Sequence, residues 1–322
     1  MSTRTEILKV LADGDFHSGT AIGESLNITR AAVNKCVQAL VARGLEIHRV
    51  SGQGYKLATP FTPLSRQRIE RDIQTNDIRT LHILDEVDST SRYLLSLAAD
   101  NDVHGHVCLA ECQTRGRGRR GRQWMTSPYS NVILSLGWTF PGGPGSLAGL
   151  SLVVGVALVQ ALADQGIEGI ELKWPNDLLW QGRKLGGVLV DLQGEVNGPS
   201  LTILGIGINV RQQDGALEGV DQPWVDISRL TDNIPDRNVF IAAILNRLTP
   251  ALEKFKHAGF EPFREDWTAH HAYHDQDVTL IQGNKALHGR VRGVDEHGAL
   301  LLIDSDNNAH VFHSGEVSLR PH

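Results

Sequence analysis

An arginine–glycine run in the middle of the chain limits what this sequence can fold into. Residues 115–122 read R-G-R-G-R-R-G-R, with five arginines and three glycines. Glycine is unfavourable inside helices and strands, because it loses the most conformational freedom on folding. The run therefore predicts a flexible cationic loop. Its glycines allow close backbone approach, and its guanidinium groups can grip the phosphate or carboxylate of a small ligand.

The surroundings of this arginine–glycine loop favour a ligand site over the main alternative. Isolated runs of this kind are often disordered RNA-binding tails, but here the run lies between two β-rich segments and is followed by Trp124. A loop inside a folded domain favours a role in closing over a ligand. Gln113, at the mouth of the loop, offers a donor and an acceptor suited to an amide or ureido group.

A second motif further along the chain reads K-W-P-N-D at 173–177 and R-K-L-G-G at 183–187. A lone lysine in a turn is usually solvated, but the position of Lys184 between these runs indicates contact with a phosphate or carboxylate. With the cationic loop, it suggests a site that joins a carboxylate to a nucleotide phosphate, two anions that repel each other until the protein neutralises them. Asp177 either helps to hold Mg²⁺ or has a structural role.

Weaker signals fit the same site. Residues 88–91, D-S-T-S, lie between a predicted strand and a helix, so their hydroxyls either face a ligand at the end of the strand or only cap the helix. The glycines of G-I-G-I-N at 205–209 lie in an apolar strand, where glycine marks a bulge or a close-lying ligand. Trp224 is either a hydrophobic plug or an aromatic plate for a base.

The first sixty residues have the pattern of a winged helix-turn-helix. Apolar spacing predicts helices at 3–11 and 18–26, and Thr29 caps a third helix that ends at Gly44. A hairpin over 46–57 follows as the wing. Seven Lys/Arg against five Asp/Glu make the segment locally basic. We interpret it as a DNA-binding domain, although a three-helix packing module without a DNA role is the alternative. The residues expected to reach DNA are Thr29, Arg30, Asn34, Lys35, Gly52, Gln53, Gly54 and Tyr55.

Two further domains are expected after the first (1–60). A proline-punctuated linker leads into 64–270, which alternates β-rich runs with amphipathic helices. Over 275–322, short strands separated by turn residues predict a small β-barrel. The fold class is therefore α+β. In the central domain the predicted strands are 81–87, 107–111, 131–138, 185–192 and 201–210, and the predicted helices are 89–99, 147–165 and 239–255.

Composition excludes several classes of protein. With 322 residues and 41% apolar content, the chain is typical of a soluble protein. We identify no stretch near the roughly 20 apolar residues that span a bilayer and no signal-peptide core, so we expect a cytoplasmic protein that does not associate with membranes. A net charge of -6 argues against bulk nucleic-acid binding. The cysteines and clustered histidines are interpreted as structural, not as metal ligands: Cys36, Cys108, Cys112, His270, His271 and His274.

Taken in order, the motifs at 89–91, 116–121, 173–177, 183–187 and 205–209 resemble those of the biotin protein ligases. The N-terminal winged helix is similar to that of the bifunctional form of this family, which also represses the biotin operon. The resemblance covers the whole chain. It implies a central catalytic domain related to class II synthetases and lipoate ligases, followed by an SH3-like barrel.

The resemblance implies a two-step ligase that uses biotin, ATP and Mg²⁺. The biotin carboxylate attacks the α-phosphorus of ATP to give biotinyl-5'-adenylate and pyrophosphate. A lysine of a biotin carboxyl carrier protein then takes the biotinyl group and releases AMP. As corepressor, the adenylate would order surface loops, promote a homodimer and let two winged helices bind operator DNA. Loops 141–146 and 193–199, rich in glycine and proline, are candidates for this ordering.

The family's functional residues carry over to matching positions of this sequence. The implied catalytic residues are Lys184, Arg119 and Arg117. The implied contacts to biotin or its adenylate are Ser89, Thr90, Ser91, Gln113, Arg117, Gly118, Arg119, Arg122, Trp124, Lys184, Gly187, Gly205, Asn209 and Trp224. Position 91 departs from the family pattern, because the asparagine common there is replaced by the shorter Ser91. Met125 stands where an aromatic or other apolar residue often follows the tryptophan.

Two other functions compete with this interpretation. A transcription factor that only senses a small ligand would need the wing and the third helix, but not Lys184 and the paired arginines. Pyrophosphate release on adding biotin and ATP would exclude it. A lipoate ligase would share the catalytic fold, but the arginine–glycine loop and the winged helix disfavour it, and substrate competition separates the two.

Overall fold

A computed structural model describes residues 3–196, 198–213, 220, 222–282, 285–313 and 318–321. The chain forms three parts, in the order expected from the sequence: a small helical domain with a two-stranded wing, a large mixed α/β domain, and a small antiparallel β domain. The predicted fold class is thereby confirmed.

The N-terminal part is a winged helix-turn-helix. Its elements are α1 (Thr3–Leu11), α2 (Gly19–Ser25), α3 (Arg30–Val41), β1 (Ile47–Val50) and β2 (Gly54–Leu57). Helices α2 and α3 begin where the side chains of Ser18 and Thr29 accept hydrogen bonds from the backbone N–H groups of Ala21 and Ala32, at 3.0 and 3.2 Å. Apolar residues on one face of each helix pack with the wing into a separate core.

The central part is built on a seven-stranded sheet in the order β3-β4-β5-β9-β8-β7-β6. Only β3 and β4 pair in parallel among the described ladders. The strands are β3 (Thr80–Leu84), β4 (His106–Ala110), β5 (Val132–Phe140), β6 (Ile170–Lys173), β7 (Asp177–Trp180), β8 (Arg183–Gly194) and β9 (Ser200–Ile208). The helices are α4 (Arg66–Asp72), α5 (Thr90–Leu97), α6 (Leu150–Ala163), α7 (Arg237–Ala258) and α8 (Arg264–Ala269).

Helices α4 and α8 and the β6–β7 hairpin were not predicted from the sequence. Helices α4 and α8 span only seven and six residues, too short for a clear apolar period. The strands of the hairpin have four residues each and flank the K-W-P-N-D motif, whose Pro175 is a turn signal. The motif therefore forms the turn between two paired strands.

Helix α6 corrects one expectation from composition. The segment Pro144–Ala163 has a mean hydropathy of 2.1 over its most apolar window, long and apolar enough to cross a membrane. The expectation that the sequence contains no apolar stretch near the length that spans a bilayer was wrong. However, 67% of that window is buried inside the protein. A helix that is apolar on all sides belongs in a core, and α6 packs there between the sheet and α7.

A buried ion pair anchors the linker to the central domain. Arg237, at the start of α7, contacts Glu111 at 2.7 Å, and both side chains are only 6% exposed. Arg237 also donates to the carbonyl of Thr62, and Glu111 accepts from the backbone N–H of Leu64. Tyr129, from the central domain, packs with the winged-helix core. The two domains are therefore in direct contact.

The C-terminal part is a five-stranded antiparallel sheet in the order β13-β12-β11-β10-β14. Its strands are β10 (Asp277–Gln282), β11 (Lys285–Val294), β12 (Leu300–Ile303), β13 (Ala309–Phe312) and β14 (Ser318–Pro321). The turn before β12 reaches the central domain, where the buried indole N–H of Trp174 donates to the carbonyl of Gly298 at 3.0 Å. The small β domain thus supports the K-W-P-N-D motif from behind.

His271, at the junction of these two parts, predicts a loss of stability in acid. Burial lowers the pKa of His271 to about 3, and the centroid of its ring lies 4.4 Å from that of Trp267, with the two ring planes tilted by 36°. In the unfolded chain this ring binds a proton below about pH 6.5. Its stabilising contribution is therefore complete above pH 6.5 and is lost as the pH falls toward 3. Between pH 7 and pH 5 the loss amounts to about 2 kcal/mol.

Between pH 7 and pH 5, the free energy of unfolding should fall by about 2 kcal/mol less in the His271→Phe variant than in the parent protein, because phenylalanine binds no proton. Urea unfolding at pH 7 and pH 5 measures the difference. His257→Gln is the control, because the His257 side chain is 75% exposed. Equal losses in the parent and His271→Phe would contradict the prediction.

Candidate active site

A cavity of about 1140 Å³ opens on the large sheet, between β5, β8, β9, the first turn of α5 and the arginine–glycine loop. Asp177 and Met125 line it. So does every residue for which the resemblance implied a ligand contact: Ser89, Thr90, Ser91, Gln113, Arg117, Gly118, Arg119, Arg122, Trp124, Lys184, Gly187, Gly205, Asn209 and Trp224. Motifs that are up to 135 residues apart in sequence therefore meet around one space.

The arginine–glycine loop is folded over the cavity. It contains one 3₁₀ turn at Arg119–Gly121, in which Arg120 adopts a left-handed φ of 56°. The N–H of Gly118 donates to the carbonyl of Arg122 at 2.7 Å, and the N–H of Trp124 donates to that of Gly116 at 3.0 Å. These bonds close the loop on itself, so its arginines have defined positions.

The arginines of the loop differ in their partners. Arg117 forms a bidentate ion pair with Asp191 on β8, at 2.7 and 2.9 Å. Arg119 donates to the side-chain oxygen of Asn176 at 3.0 Å. Burial, with a smaller contribution from Arg120, lowers the pKa of Arg119, although a guanidinium still keeps its proton. Arg119 is therefore a partly desolvated cation facing the cavity.

Lys184 provides a second cation. It lies on β8 rather than in the turn before it, and its Nζ is 2.7 Å from Oδ1 of Asp177. The ammonium lies beside Gly187, where a side chain would come within 3.4 Å of the lysine. It is also 5.6 Å from the ring centroid of Trp124. An ammonium with one carboxylate partner retains donors for a further anion.

Trp224 is held next to Lys184 by the backbone. The N–H of Lys184 donates to the carbonyl of Pro223 at 2.8 Å, and the N–H of Val225 donates to the carbonyl of Lys184 at 2.9 Å. The Trp224 ring is half-buried and stacks on the Arg229 guanidinium at 4.3 Å. The ring therefore combines a fixed position with access to the cavity, which suits a stacking role.

A polar cluster occupies another part of the cavity. Ser89 caps α5, as the simpler interpretation required, and also lines the cavity. The N–H of Thr90 donates to Oε1 of Gln113 at 2.8 Å. The hydroxyls of Thr90 and Ser91 bond to Ser135 at 2.8 and 3.0 Å. Ser135, fully buried on β5, was not identified from the sequence, although a lone serine in an apolar strand is a usable signal.

The glycines of β9 make room for side chains of the protein itself. A Cβ on Gly207 would lie 2.4 Å from the Trp124 ring, and one on Gly205 would lie 2.9 Å from the Ser91 hydroxyl. The glycines were expected to mark a bulge or a close-lying ligand. The ladder between β8 and β9 runs without a register shift at these glycines, so they mark no bulge. They admit Trp124 and Ser91, which form parts of the cavity wall.

Asn209 supports the site through the backbone. It is 3% exposed, and its Nδ2 donates to the carbonyls of Lys184 and Val225 at 3.5 and 3.1 Å. Its Oδ1 accepts from Gln212 at 2.9 Å. Asn209 therefore lines the cavity and also fixes the segments that carry Lys184 and Trp224. Three further polar residues hold side chains of the site and were not identified from the sequence: Asn176, Asp191 and Gln212.

Within the described part of the chain, no group of three or more His, Cys, Asp or Glu side chains could hold a metal ion. Asp177 supplies one carboxylate to the cavity. Mg²⁺ uses one or two protein carboxylates together with substrate phosphates, so this arrangement is compatible with an ion that arrives with a nucleotide.

The winged helix carries a separate set of candidate residues. Thr29, Arg30 and Lys35 are exposed at the start of α3. Gly52, Gln53 and Gly54 form the wing turn, where the two glycines have φ values of 81° and 110°. Tyr55 differs from the others, because it is only 6% exposed and its ring packs in the domain core. Its hydroxyl bonds to Asn34 at 3.1 Å.

Family models match three parts of the chain. Residues 3–56 match an HTH domain, residues 84–209 match the biotin/lipoate A/B protein ligase family, and residues 273–320 match the biotin protein ligase C terminal domain.

Two similar proteins match nearly the whole length of the chain, and a solved structure matches about three quarters of it. The bifunctional ligase/repressor BirA of Salmonella typhimurium is 37% identical over 314 residues, which are 98% of this chain and 96% of that protein. The protein of the same name from Escherichia coli is 36% identical over 315 residues, with the same two coverages. A solved biotin protein ligase from Aquifex aeolicus, in complex with biotin and ATP, has a TM-score of 0.65 and 31% identity. It covers 76% of this chain and 100% of its own.

Proposed function

This chain belongs to the biotin protein ligase family, as an ATP-dependent biotin ligase that also carries a DNA-binding domain, and we propose how its cavity performs the reaction. The observation that carries the proposal is the distribution of charge in the cavity. The cations Arg119 and Lys184 line the cavity together with the neutral polar groups of Thr90 and Gln113. Gly187 lies beside Lys184, and Gly205 lies beside Ser91 of the neutral cluster.

The two substrates fit these regions by their chemistry. The ureido ring of biotin has donors and acceptors that match Gln113 and the hydroxyls of Ser89, Thr90 and Ser91. Its apolar tail would run along Gly187 and Gly205, so that the carboxylate reaches Lys184. ATP would place its α-phosphate by Arg119 and its adenine on Trp224. Gly118, Arg122 and Trp124 would complete the loop over both substrates.

In the first step, a biotin carboxylate oxygen attacks the α-phosphorus and forms a C–O–P link, and the bond to the β-phosphate breaks to release pyrophosphate. Bringing two anions within about 4 Å costs about 4 kcal/mol per pair of charges at an effective dielectric of 20. Lys184 and Arg119, held by Asp177 and Asn176, offset this cost. Catalysis thus consists of positioning and charge stabilisation, without a covalent enzyme intermediate.

In the second step, the neutral ε-amine of an acceptor lysine attacks the acyl carbon, the acyl C–O bond breaks, and AMP leaves while the amine loses a proton. We propose that the acceptor is a biotin carboxyl carrier protein. Met125, 39% exposed at the mouth of the cavity, would cover the adenylate until the acceptor arrives.

The ion pair with Asp191 suggests a positioning role for Arg117. Both terminal nitrogens of its guanidinium donate to Asp191, at 2.7 and 2.9 Å. We therefore assign Arg117 to anchoring the loop on β8, while Arg119 and Lys184 contact the reacting groups. Mg²⁺, when bound with ATP, would neutralise the charge on the phosphates, and Asp177 would hold it from the protein side.

We further propose that the adenylate-bound chain forms a homodimer that represses transcription at operator DNA in the cytoplasm, where both ATP and DNA are available. Val196, on the segment 193–199, is 82% exposed, and Leu192, which precedes the segment, is 40% exposed. A Cβ on Gly143, in the loop 141–146, would lie 1.9 Å from the carbonyl of Val196, so the two loops pack together. Asn197 lies outside the described residues. Equal dimer affinity with and without biotin plus ATP, measured by sedimentation, would contradict the ligand dependence.

The enzymatic proposal is tested by mass spectrometry of a carrier domain incubated with this chain, biotin and Mg-ATP. One biotinyl group should be added, at a single lysine, and pyrophosphate should appear only when biotin is present. Excess lipoate should not compete. A carrier domain of unchanged mass would refute the proposal.

Arg119→Gly should leave the fold intact and raise the dissociation rate of the adenylate by about tenfold or more, because one charge-assisted contact is lost. Release of radiolabelled adenylate in a chase experiment measures the rate. Arg115→Gly is the matched control, since Arg115 is exposed in the same loop and does not line the cavity. An unchanged rate for Arg119→Gly would contradict its assigned role.

A further inference from the structure

Asn34 lies at the edge of the surface that α3 would present to DNA. The helix packs Val33 and Val37 into the domain core and leaves Arg30 and Lys35 exposed. Asn34 is half-buried between these two faces. A side chain at this position, one turn into the second helix of a helix-turn-helix, is within reach of base edges in the major groove.

The carboxamide of Asn34 is held by a residue of the wing. The hydroxyl of Tyr55, on β2, donates to Oδ1 of Asn34 at 3.1 Å. This hydrogen bond joins β2 to α3, through two residues that are 21 positions apart in the sequence. Because the Tyr55 ring is buried, the tyrosine acts on Asn34 from behind the DNA-facing surface.

Tyr55 itself has little freedom to move. Its backbone N–H and C=O both pair with His17, each at 2.9 Å. Its ring lies against Gly19, where an added Cβ would be 3.2 Å from the ring edge. Gly54, with a φ of 110°, brings the strand so close that a Cβ there would lie 2.0 Å from the His17 carbonyl. The hydroxyl oxygen is therefore fixed in position, and it donates to Oδ1 of Asn34.

The hydrogen bond from Tyr55 selects one orientation of the Asn34 carboxamide. A free carboxamide can rotate by 180° and exchange its acceptor oxygen for its donor nitrogen. With Oδ1 bound to Tyr55, the two N–H donors of Nδ2 remain for a further partner. In the major groove such donors match the acceptors of a base, which are N7 and O6 of guanine, N7 of adenine or O4 of thymine.

We propose that Tyr55 is a positioning residue for sequence recognition, which orients Asn34 so that it reads a hydrogen-bond acceptor on one base of each operator half-site. This inference rests on the proposed repressor function. It also gives the wing a role beyond phosphate contact, because the strand that carries the wing sets the orientation of a side chain on the recognition helix.

The test selects binding sites from a library of random DNA duplexes, with the full-length protein saturated with biotin and Mg-ATP. The parent protein should select a two-fold symmetric motif. Tyr55→Phe should keep that motif except at one position of each half-site, where the preference should weaken about tenfold. Asn34→Ala should lose preference at the same position. Asn34→Asp, which offers only acceptors, should shift that position toward cytosine, whose N4 is a donor.

Tyr93→Phe is the control, because it removes a tyrosine hydroxyl from the central domain and should leave the whole motif unchanged. If Tyr55→Phe keeps the full preference, or loses it at a position other than that of Asn34→Ala, the inference is wrong and the repressor function stands. If the parent protein selects no motif, the repressor function itself fails. Carrier biotinylation, measured in parallel, should be equal in all variants.

Discussion

Replacing Lys184 with methionine should slow biotin-dependent exchange of pyrophosphate into ATP by about 10²–10³-fold, the usual effect of removing one group that stabilises charge in a transition state. Methionine keeps most of the side-chain volume, so the cavity wall and the backbone pairing of Lys184 with Pro223 and Val225 should persist. The lost ammonium, however, leaves Asp177 facing the substrate anions without a cation between them. The rate should therefore fall more than the affinity for biotin.

Arg183→Met provides the matched control. Arg183 precedes Lys184 on β8, but its guanidinium lies on the Trp180 ring at 5.2 Å, and it does not line the cavity. Pyrophosphate exchange by this variant should stay within about twofold of the parent. Equal rates for Lys184→Met and Arg183→Met would show that the ammonium has no part in adenylation.

The second large effect is expected for stability. Arg237→Met should lower the free energy of unfolding by about 3–5 kcal/mol, because it leaves the buried carboxylate of Glu111 without its cation. The same change removes the hydrogen bonds to the carbonyls of Thr62 and Asn131. The linker between the winged helix and the central domain should loosen together with the ion pair.

Urea unfolding followed by tryptophan fluorescence measures this loss. Arg247→Met, on the same helix, is the control: its ion pair with Asp164 is exposed, with side-chain exposures of 46% and 36%. Such pairs contribute at most about 1 kcal/mol. A loss for Arg237→Met no larger than that of the control would mean that water reaches the Glu111 site.

The sequence allowed much of the cavity to be predicted, because its glycines and cations lie in contiguous runs. The alternation of arginine and glycine at 115–122 predicted a loop. The two motifs on either side of Lys184 indicated an anion site. The helices and strands with clear apolar periods were predicted close to their observed bounds. The β6–β7 hairpin was not, since two four-residue strands around a proline have too little pattern.

Partners across the fold could not be predicted from the same signals. Arg117 and Asp191 are 74 residues apart, and their contact depends on the register of β8 and the closed form of the loop. Ser135 reaches Thr90 and Ser91 only because β5 passes beneath the start of α5. Sequence patterns can indicate which side chains face a ligand. They give less information about the residues that hold those side chains in place, because such contacts arise from tertiary packing.

The hydrogen bond from Trp174 to the carbonyl of Gly298 makes the C-terminal sheet a structural part of the catalytic machinery. Gly298 fits there because a Cβ would collide with Leu152 and Gly149 of the central domain, at 2.8 and 2.9 Å. Loss of the C-terminal sheet would therefore remove a buried contact behind the hairpin that presents Asn176 and Asp177 to the cavity.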